Sequence, residues 1–213
     1  IARVVFREIP AKTAAAARLA THPGVRVVFA DDVAKRLMVE DEDVREAVTE
    51  RFGADTYCLD GSLDRAALAS RVFGDAEELS ALNAIVHPAV RRAMLREVEQ
   101  AREDGVRLLV YEAALLFEVG ADSVVDHIAV VDAPVETRVT RAMARDGSTR
   151  ADVLARLSRQ LPAETLRQRA DTVLENSGSL ADLHEQADAL YSRLVNGSSE
   201  ARPTGSSAGG GAR

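Results

Sequence analysis

Lys12 and Thr13 stand between a short apolar run and an alanine-rich segment. A lysine followed by a hydroxyl residue ends the phosphate-binding loop G-x-x-x-x-G-K-[ST]. In that loop backbone N–H groups surround phosphate oxygens, the lysine contacts the outer phosphates and the hydroxyl anchors Mg²⁺. Residues 6–13 keep this spacing, but Phe6 and Ala11 replace both glycines. A phosphate site and an ordinary helix start with a chance Lys-Thr pair are therefore both open.

Three carboxylates follow other apolar runs of the chain. Asp31 and Asp32 come after residues 25–29, and Glu112 ends the run 106–111. In doubly wound α/β proteins ligands bind beyond the carboxyl ends of the strands, where such a side chain can orient a hydroxyl group or a metal-bound water. The alternative is that each carboxylate caps the helix that follows.

Two arginines, Arg141 and Arg145, are four residues apart and share a face of a predicted helix. Charged helix faces are usually solvated, but phosphoryl transfer also uses arginines to neutralise developing charge. His87 precedes Pro88 and has no second histidine or cysteine at metal-ligand spacing, which favours a structural or helix-breaking residue over a metal ligand.

Five short β-branched runs alternate with helical patterns and would position these side chains. Apolar runs of this length, separated by helices, are typical of buried strands in a parallel sheet. The sequence therefore predicts an α/β fold with a doubly wound parallel sheet of about five strands. The predicted strands are residues 2–6, 25–29, 106–111, 125–131 and 170–175.

The spacing of the strands predicts one main domain, residues 1–195. Residues 41–104 have helical periodicity and no convincing strand, which indicates a helical insertion in a long crossover. A second helical segment, residues 135–169, precedes the last strand and is a candidate lid. Residues 196–213 are rich in glycine and serine, which predicts a disordered tail.

The amino-acid composition and the net charge exclude some classes of function. A net charge of −7 and an isoelectric point near 5.2 argue against a broad nucleic-acid surface. One cysteine, Cys58, excludes an internal disulfide, and we find no apolar run of membrane-spanning length. We therefore expect a cytoplasmic protein that contacts neither nucleic acid nor membrane; composition does not set its oligomeric state.

The segments between residues 27 and 183 resemble, in order, the dephospho-coenzyme A kinase family. These P-loop enzymes phosphorylate the ribose 3'-hydroxyl of dephospho-coenzyme A in the last step of coenzyme A biosynthesis. Each matching stretch is short, and their joint order and spacing carry the resemblance. The stretches are ADDVAKRL, DGSLDRAALASRVF, LNAIVHPAV, ALLFEVG, VVDAP, RAMARDG and RADTVLENSGSLADL.

The resemblance implies ATP as phosphate donor, Mg²⁺ as its metal ion and dephospho-coenzyme A as acceptor. It implies that Asp31 receives the proton of the ribose hydroxyl and that Arg141 and Arg145 are lid arginines. Asn176 matches a loop near the adenine. The remaining implied contacts fall into two groups: Ala11, Lys12 and Thr13 for ATP, with Thr13 also on Mg²⁺; and Leu63, Arg65, Phe73, Asn83 and His87, with Asp31, for dephospho-coenzyme A.

The phosphate loop departs from the family, whose members read T-G-G-I-G-S-G-K-[ST] where this chain has residues 5–13. Pro10 lacks an N–H, Glu8 brings a like charge and non-glycine residues resist left-handed backbone. Together these departures cost about 5 to 8 kcal/mol, a 10⁴- to 10⁵-fold loss of nucleotide affinity.

Three interpretations follow. The first is a dephospho-coenzyme A kinase whose first dozen residues are altered or incomplete here. The second is a non-catalytic homologue that binds dephospho-coenzyme A or coenzyme A. The third, another small-molecule P-loop kinase, leaves the helical insertion with its His-Pro pair unexplained. We favour the first because Asp31, Lys12, Thr13 and the lid arginines remain while the damage is confined to one short window.

Overall fold

The computed structural model describes residues 2–8, 14–72, 74–113, 125–158 and 161–196. Five strands and the helices between them make up this part of the chain. In chain order these elements are β1 (Ala2–Glu8), α1 (Ala14–Ala20), β2 (Val25–Phe29), α2 (Ala30–Glu40), α3 (Glu42–Phe52), a short 3₁₀ turn (Ala54–Thr56), α4 (Arg65–Val72), α5 (Ala76–Glu103), β3 (Leu108–Glu112), β4 (His127–Asp132), α6 (Val135–Asp146), α7 (Arg150–Leu157), α8 (Ala163–Arg169), β5 (Thr172–Glu175) and α9 (Leu180–Asn196).

The strands form one sheet in the order β2-β3-β1-β4-β5, and every described pairing is parallel. Every residue of β3 is buried, as expected of a strand covered on both faces. This confirms the α/β doubly wound fold with five strands. Each strand begins within two residues of its predicted start.

Helices cover both faces of the sheet. On one face α1 and α9 pack over β1, β3 and β4 through residues such as Leu19 and Leu183. On the other face the C-terminal half of α5 and helix α8 contribute Met94, Val98 and Leu166. Leu166 is 1% exposed, so α8 is part of the main core.

The long crossover between β2 and β3 is helical and has a hydrophobic core of its own. Helices α2 to α5 share it, with Val48 and Phe52 of α3 at its centre. The helix break suggested by the His87-Pro88 pair does not occur, because α5 continues through Pro88 to Glu103. Val86 and Ala89 are buried on either side of the proline, so packing offsets the lost backbone hydrogen bond.

None of the described helices is both long enough and apolar enough to span a bilayer.

Candidate active site

The carboxyl ends of the parallel strands meet at one edge of the sheet and bring the predicted carboxylates together. Phe29 at the end of β2 is in register with Glu112 at the end of β3, and Glu112 is in register with Phe6 of β1 on its other side. Asp31 follows Phe29 by two residues. Asp31 and Glu112 therefore lie on adjoining strand ends, next to the strand that leads to Lys12.

The two aspartates after β2 have different environments. Helix α2 begins at Ala30, and its N-cap residue is Phe29, so neither aspartate is the helix cap. Asp32 is exposed and binds Lys35 of the next turn at 2.9 Å. Asp31 is partly buried, and Glu112 is 2% exposed. Asp31 thus retains the predicted position at the edge, whereas Asp32 belongs to the surface of α2.

Strand β1 is longer than the sequence predicted and takes up part of the phosphate-loop frame. Residues 6, 7 and 8 pair in register with 129, 130 and 131 of β4. Backbone in a strand ladder is extended, and its N–H groups cannot curl around a phosphate. The predicted ligands Ala11, Lys12 and Thr13 lie outside the described residues, between β1 and α1.

The two arginines predicted to belong to a lid, Arg141 and Arg145, have different partners. Arg141 donates from Nη1 to the carbonyl oxygen of Asn176 at 3.0 Å. Arg145 forms a two-pronged ion pair with Asp146, at 2.6 and 2.9 Å, and Arg156 of α7 contacts the same carboxylate at 3.1 Å. Hydrogen bonds from Arg145, assisted by Arg156, lower the pKa of Asp146 to about 2. Asp146 is therefore ionised at neutral pH and holds α6 and α7 together.

Asn176 connects the ends of the last two strands. The residue as a whole is 7% exposed. Its backbone N–H donates to the carbonyl oxygen of Asp132 at 2.7 Å. With the bond from Arg141, this places the turn after β5 against both β4 and α6. The predicted nucleotide contact thus lies at the same edge as Asp31.

The predicted substrate residues lie in the helical crossover. Leu63 forms an isolated bridge with Tyr57 and packs on the core of the crossover, whereas Arg65 is exposed at the start of α4. Asn83 lines a cleft of about 290 Å³ at the start of α5, together with Asp75 and Leu79. The cleft begins at Gly74, next to Phe73, which lies outside the described residues.

His87 stands one turn beyond Asn83 on α5 and so shares its helix face. Burial lowers the pKa of His87, which keeps the imidazole neutral at pH 7. A neutral imidazole can exchange hydrogen bonds with a polar ligand but adds no charge to attract phosphate. Within the described ranges no group of three histidine, cysteine or acidic side chains is arranged to hold a metal ion.

A charged cluster that the sequence did not predict joins β4, β5 and α8. Arg167 binds the carboxylates of Asp132 and Glu175, the last residues of the two strands. Arg138 of α6 lies nearby and is 7% exposed. A signal for Arg138 exists, since it is three residues before Arg141 on the same helix, but the cleft that it lines with α8 joins segments that are distant in sequence.

The strand order, the parallel connections and the polar carboxyl edge with an arginine-bearing helix define an α/β protein with the fold of the P-loop kinases. The sequence profile of one family, described as Dephospho-CoA kinase, matches residues 10–182. The chain belongs to the dephospho-CoA kinase family, which confirms the resemblance.

Relatives with known names agree with this membership. A dephospho-CoA kinase of Salinibacter ruber is 49% identical over 174 residues, which are 82% of this chain and 87% of the relative. One from Chlorobaculum tepidum is 41% identical, covering 81% and 84% of the two chains.

Solved structures share the fold. TT1252 from Thermus thermophilus superposes with a TM-score of 0.73 at 39% identity, over 91% of this chain and 97% of that one. A dephospho-CoA kinase from Campylobacter jejuni has a TM-score of 0.67 over 92% and 99% of the chains; at 23% identity it supports the fold alone.

Proposed function

We propose that this chain transfers the γ-phosphoryl group of ATP to the ribose 3'-hydroxyl of dephospho-coenzyme A and so produces coenzyme A. The observation that carries the proposal is the register of Phe29 with Glu112, which places Glu112 and the start of α2, with Asp31, at the same carboxyl edge of the sheet. Membership of the dephospho-CoA kinase family indicates the reaction, and the carboxyl groups at this edge of the sheet are compatible with that reaction.

Asp31 is the group that we assign to the acceptor hydroxyl. A ribose hydroxyl is a weak nucleophile, and in-line phosphoryl transfer depends mainly on positioning and on charge stabilisation. A carboxylate at the strand end can accept the hydroxyl proton and hold the oxygen in line. Glu112, on the next strand, is buried and places a second carboxyl group near this side of the site.

Arg141 and Arg145 would act on the donor side. Arg141 is fixed by its bond to the Asn176 carbonyl, so it contributes a positioned cation. Arg145 is paired with Asp146 and must exchange that carboxylate for phosphate oxygens when nucleotide binds. We therefore propose that the mobile part of the lid comprises the end of α6 and α7, since α8 is packed into the main core through Leu166.

The helical crossover would hold dephospho-coenzyme A. Asn83 and neutral His87 offer hydrogen bonds from one face of α5, and exposed Arg65 offers a cation for the phosphates of the substrate. Leu63 supports the fold of this region through its bridge to Tyr57. The proposal treats residues 41–104 as the substrate-binding insertion.

Mg²⁺ would be held through ATP and the hydroxyl of Thr13, where it supplies charge neutralisation to the phosphates. The acidic composition and single cysteine support a cytoplasmic enzyme that acts on a small molecule without nucleic acid.

A second function, binding without catalysis, is favoured by one specific observation. Strand pairing extends to residue 8, so residues 6–8 of the phosphate-loop frame pair with β4. Backbone N–H groups in a strand ladder are extended and cannot surround a triphosphate. Such a chain would bind dephospho-coenzyme A through the helical insertion of residues 41–104 and would not bind ATP.

Calorimetry with dephospho-coenzyme A and a coupled assay for its ATP-dependent conversion separate the two functions. Substrate binding together with turnover supports the kinase. Binding without turnover, even at millimolar ATP, supports the binding protein. No binding of dephospho-coenzyme A contradicts both proposals.

A further inference from the structure

Residues 57–63 form a short hairpin in the helical crossover, between the 3₁₀ turn and α4. Tyr57 and Leu63 are joined by an antiparallel bridge. Inside this bridge the backbone N–H of Cys58 donates to the carbonyl oxygen of Ser62 at 2.8 Å. The hairpin therefore has a defined backbone shape, although it belongs to no sheet.

The hairpin and the start of α4 form one hydrogen-bonded unit. The backbone N–H of Asp64 donates to the carbonyl oxygen of Thr56 at 2.8 Å, across the base of the hairpin. The carboxylate of Asp64 accepts from the N–H groups of Ala66 and Ala67 at 3.0 and 2.9 Å and so caps α4. Arg65 is the first residue of that helix, so its backbone position follows the position of the hairpin.

Arg45 of α3 fastens the hairpin to the end of α2. Its Nη1 donates to the carbonyl oxygen of Val39 at 2.9 Å and to that of Gly61 at 3.1 Å. Gly61 has a φ of 83°, which glycine adopts without strain, and a Cβ at this position would lie 3.6 Å from the same nitrogen. One guanidinium therefore joins the turn of the hairpin to the last turn of α2.

A second contact strengthens the same joint. The guanidinium carbon of Arg45 lies over the ring of Tyr57, 4.8 Å from its centroid, and the hydroxyl of Tyr57 donates to the carbonyl oxygen of Met38 at 2.8 Å. The last carbonyl groups of a helix have no partner within it and carry the negative end of its dipole. The last turn of α2 contains no basic residue of its own, so Arg45 supplies the cation there.

The joint connects two parts of the proposed acceptor site. Asp31 lies in the first turn of α2, and Arg45 binds the last turn of the same helix. A helix of 11 residues is about 16 Å long and keeps that length, so the hairpin is held at a fixed distance from Asp31. Leu63 and exposed Arg65, which we assign to dephospho-coenzyme A, are therefore held in a fixed geometry relative to the proposed base.

We infer that Arg45 is a positioning residue for the acceptor, and this inference rests on the proposed function. Arg45 acts through the hairpin rather than on the substrate, because it keeps the hairpin docked on α2 before dephospho-coenzyme A arrives. A protein whose binding-competent state is only partly populated binds its ligand with an affinity reduced by that fraction. Loss of the joint therefore weakens the binding of dephospho-coenzyme A.

The test compares wild type with Arg45→Met, which keeps the length of the side chain and removes its donors. Calorimetry measures the Kd for dephospho-coenzyme A without ATP, so the altered phosphate loop does not interfere. We expect this Kd to rise about 3- to 10-fold, as for a hairpin that is docked about a third to a tenth of the time. Arg45→Lys, which keeps the charge but loses the planar fork, should recover part of the loss.

The mobility of the hairpin can be measured at Cys58, the single cysteine of the chain, which is exposed. A nitroxide attached through a maleimide forms a thioether, which does not exchange with the thiol of the substrate. We expect the spin-label spectrum of wild type to be that of an ordered site and the spectrum of Arg45→Met to contain a mobile component. Saturation with dephospho-coenzyme A should remove that component, which a loss of stability alone would not produce.

A matched control is Arg36→Met, made in the same part of the crossover. Arg36 is exposed on α2, and its Nε lies 3.7 Å from the carboxylate of Glu40 on the same helix. The control changes the net charge as Arg45→Met does and should match wild type in Kd and in label mobility. Tyr57→Phe removes the bond to Met38 and keeps the ring, so it should move both measurements in the same direction by less. If Arg45→Met does not fold, this milder variant decides the test.

Three results would overturn the inference. The first is a Kd for dephospho-coenzyme A that is unchanged in Arg45→Met or raised equally in Arg36→Met. The second is a label as ordered in Arg45→Met as in wild type. The third is a wild type that does not bind dephospho-coenzyme A, which would contradict the proposed function as well. Binding that follows our expectation without turnover would refute the kinase and leave the role of Arg45 standing.

Discussion

Arg141 and Asn176 are joined by a hydrogen bond of 3.0 Å from the guanidinium Nη1 to the backbone carbonyl oxygen. The bond fastens α6 to the turn after β5, and the backbone N–H of Asn176 in turn binds the end of β4. An arginine that the sequence assigned to the lid is therefore also a support for the nucleotide end of the sheet.

Replacement of this arginine should affect the donor nucleotide and spare the acceptor. This variant and the other kinetic variants below are made in a chain whose residues 6–11 are restored to the glycine-rich loop of the family, because the original loop weakens nucleotide binding. In Arg141→Lys the charge remains but the planar fork is lost, so we expect kcat/KM for ATP to fall about 10- to 100-fold. The KM for dephospho-coenzyme A should change less than about twofold. Arg150→Lys, at the start of α7, is the matched control. A KM for dephospho-coenzyme A that rises as much as the KM for ATP would contradict the assignment of Arg141 to the donor side.

Asp31 should be needed for turnover more than for binding. Asp31→Asn removes the carboxylate at the strand end and keeps its shape, so we expect kcat to fall about 10²- to 10⁴-fold. Calorimetry should give the same affinity for dephospho-coenzyme A within about threefold. The neighbouring variant Asp32→Asn, which loses the surface pair with Lys35, should keep its rate. An unchanged rate for Asp31→Asn would remove it from the mechanism.

Replacement of Asn83 should weaken the binding of the acceptor, dephospho-coenzyme A. In Asn83→Ala the cleft at the start of α5 loses one amide, and we expect the KM for dephospho-coenzyme A to rise about 3- to 10-fold with no change for ATP. Ser70→Ala, on exposed α4, serves as the control. A change in the KM for ATP alone would place Asn83 on the donor side.

Asp188 makes stability depend on pH at the contact between α1 and α9. Arg18 and His22 both bond its carboxylate, and the bond from Arg18 is the main reason why its pKa falls to about 2. Its folded pKa is below the unfolded value of about 3.9, so ionised Asp188 stabilises the protein above that pH. This contribution is lost as the pH falls toward 2.

Asp188→Asn tests this dependence. We expect its Tm to be lower than that of wild type by about 1 to 3 °C at pH 7, because the pair is partly exposed and screened. The difference should shrink as the pH is lowered from 4 to about 2. Glu185→Gln, exposed on the same helix, should show no such trend. A constant difference across this pH range would contradict the account.

Local sequence signals predicted the sheet well because its strands depend on short-range properties. The run 108–112 is apolar enough to be buried on both faces, and β2 begins shortly after the end of α1. The end of β1 was less predictable, because residues 6–8 become strand through pairing with β4, which is distant in sequence.

The candidate site was predictable where it depended on strand ends and not where it depended on contacts between distant elements. Asp31 could be placed at the carboxyl edge because it directly follows a strand. The pairing of Arg167 with Asp132 spans 35 residues, and Arg138 lines the same cleft as Glu164 and Arg167 of α8. No local pattern specifies such contacts.

Turnover after restoration of the loop tests the central claim most directly. The restored chain carries Phe6→Gly, Arg7→Gly, Glu8→Ile, Ile9→Gly, Pro10→Ser and Ala11→Gly, and its control adds Lys12→Met. The quantity measured is ATP-dependent formation of coenzyme A, identified by the mass of the added phosphoryl group. We predict turnover at least about 10³-fold above that of the original chain, since the altered loop costs about 5 to 8 kcal/mol of nucleotide affinity, and loss of that turnover in the control. A restored chain that binds dephospho-coenzyme A yet forms no coenzyme A would contradict the account.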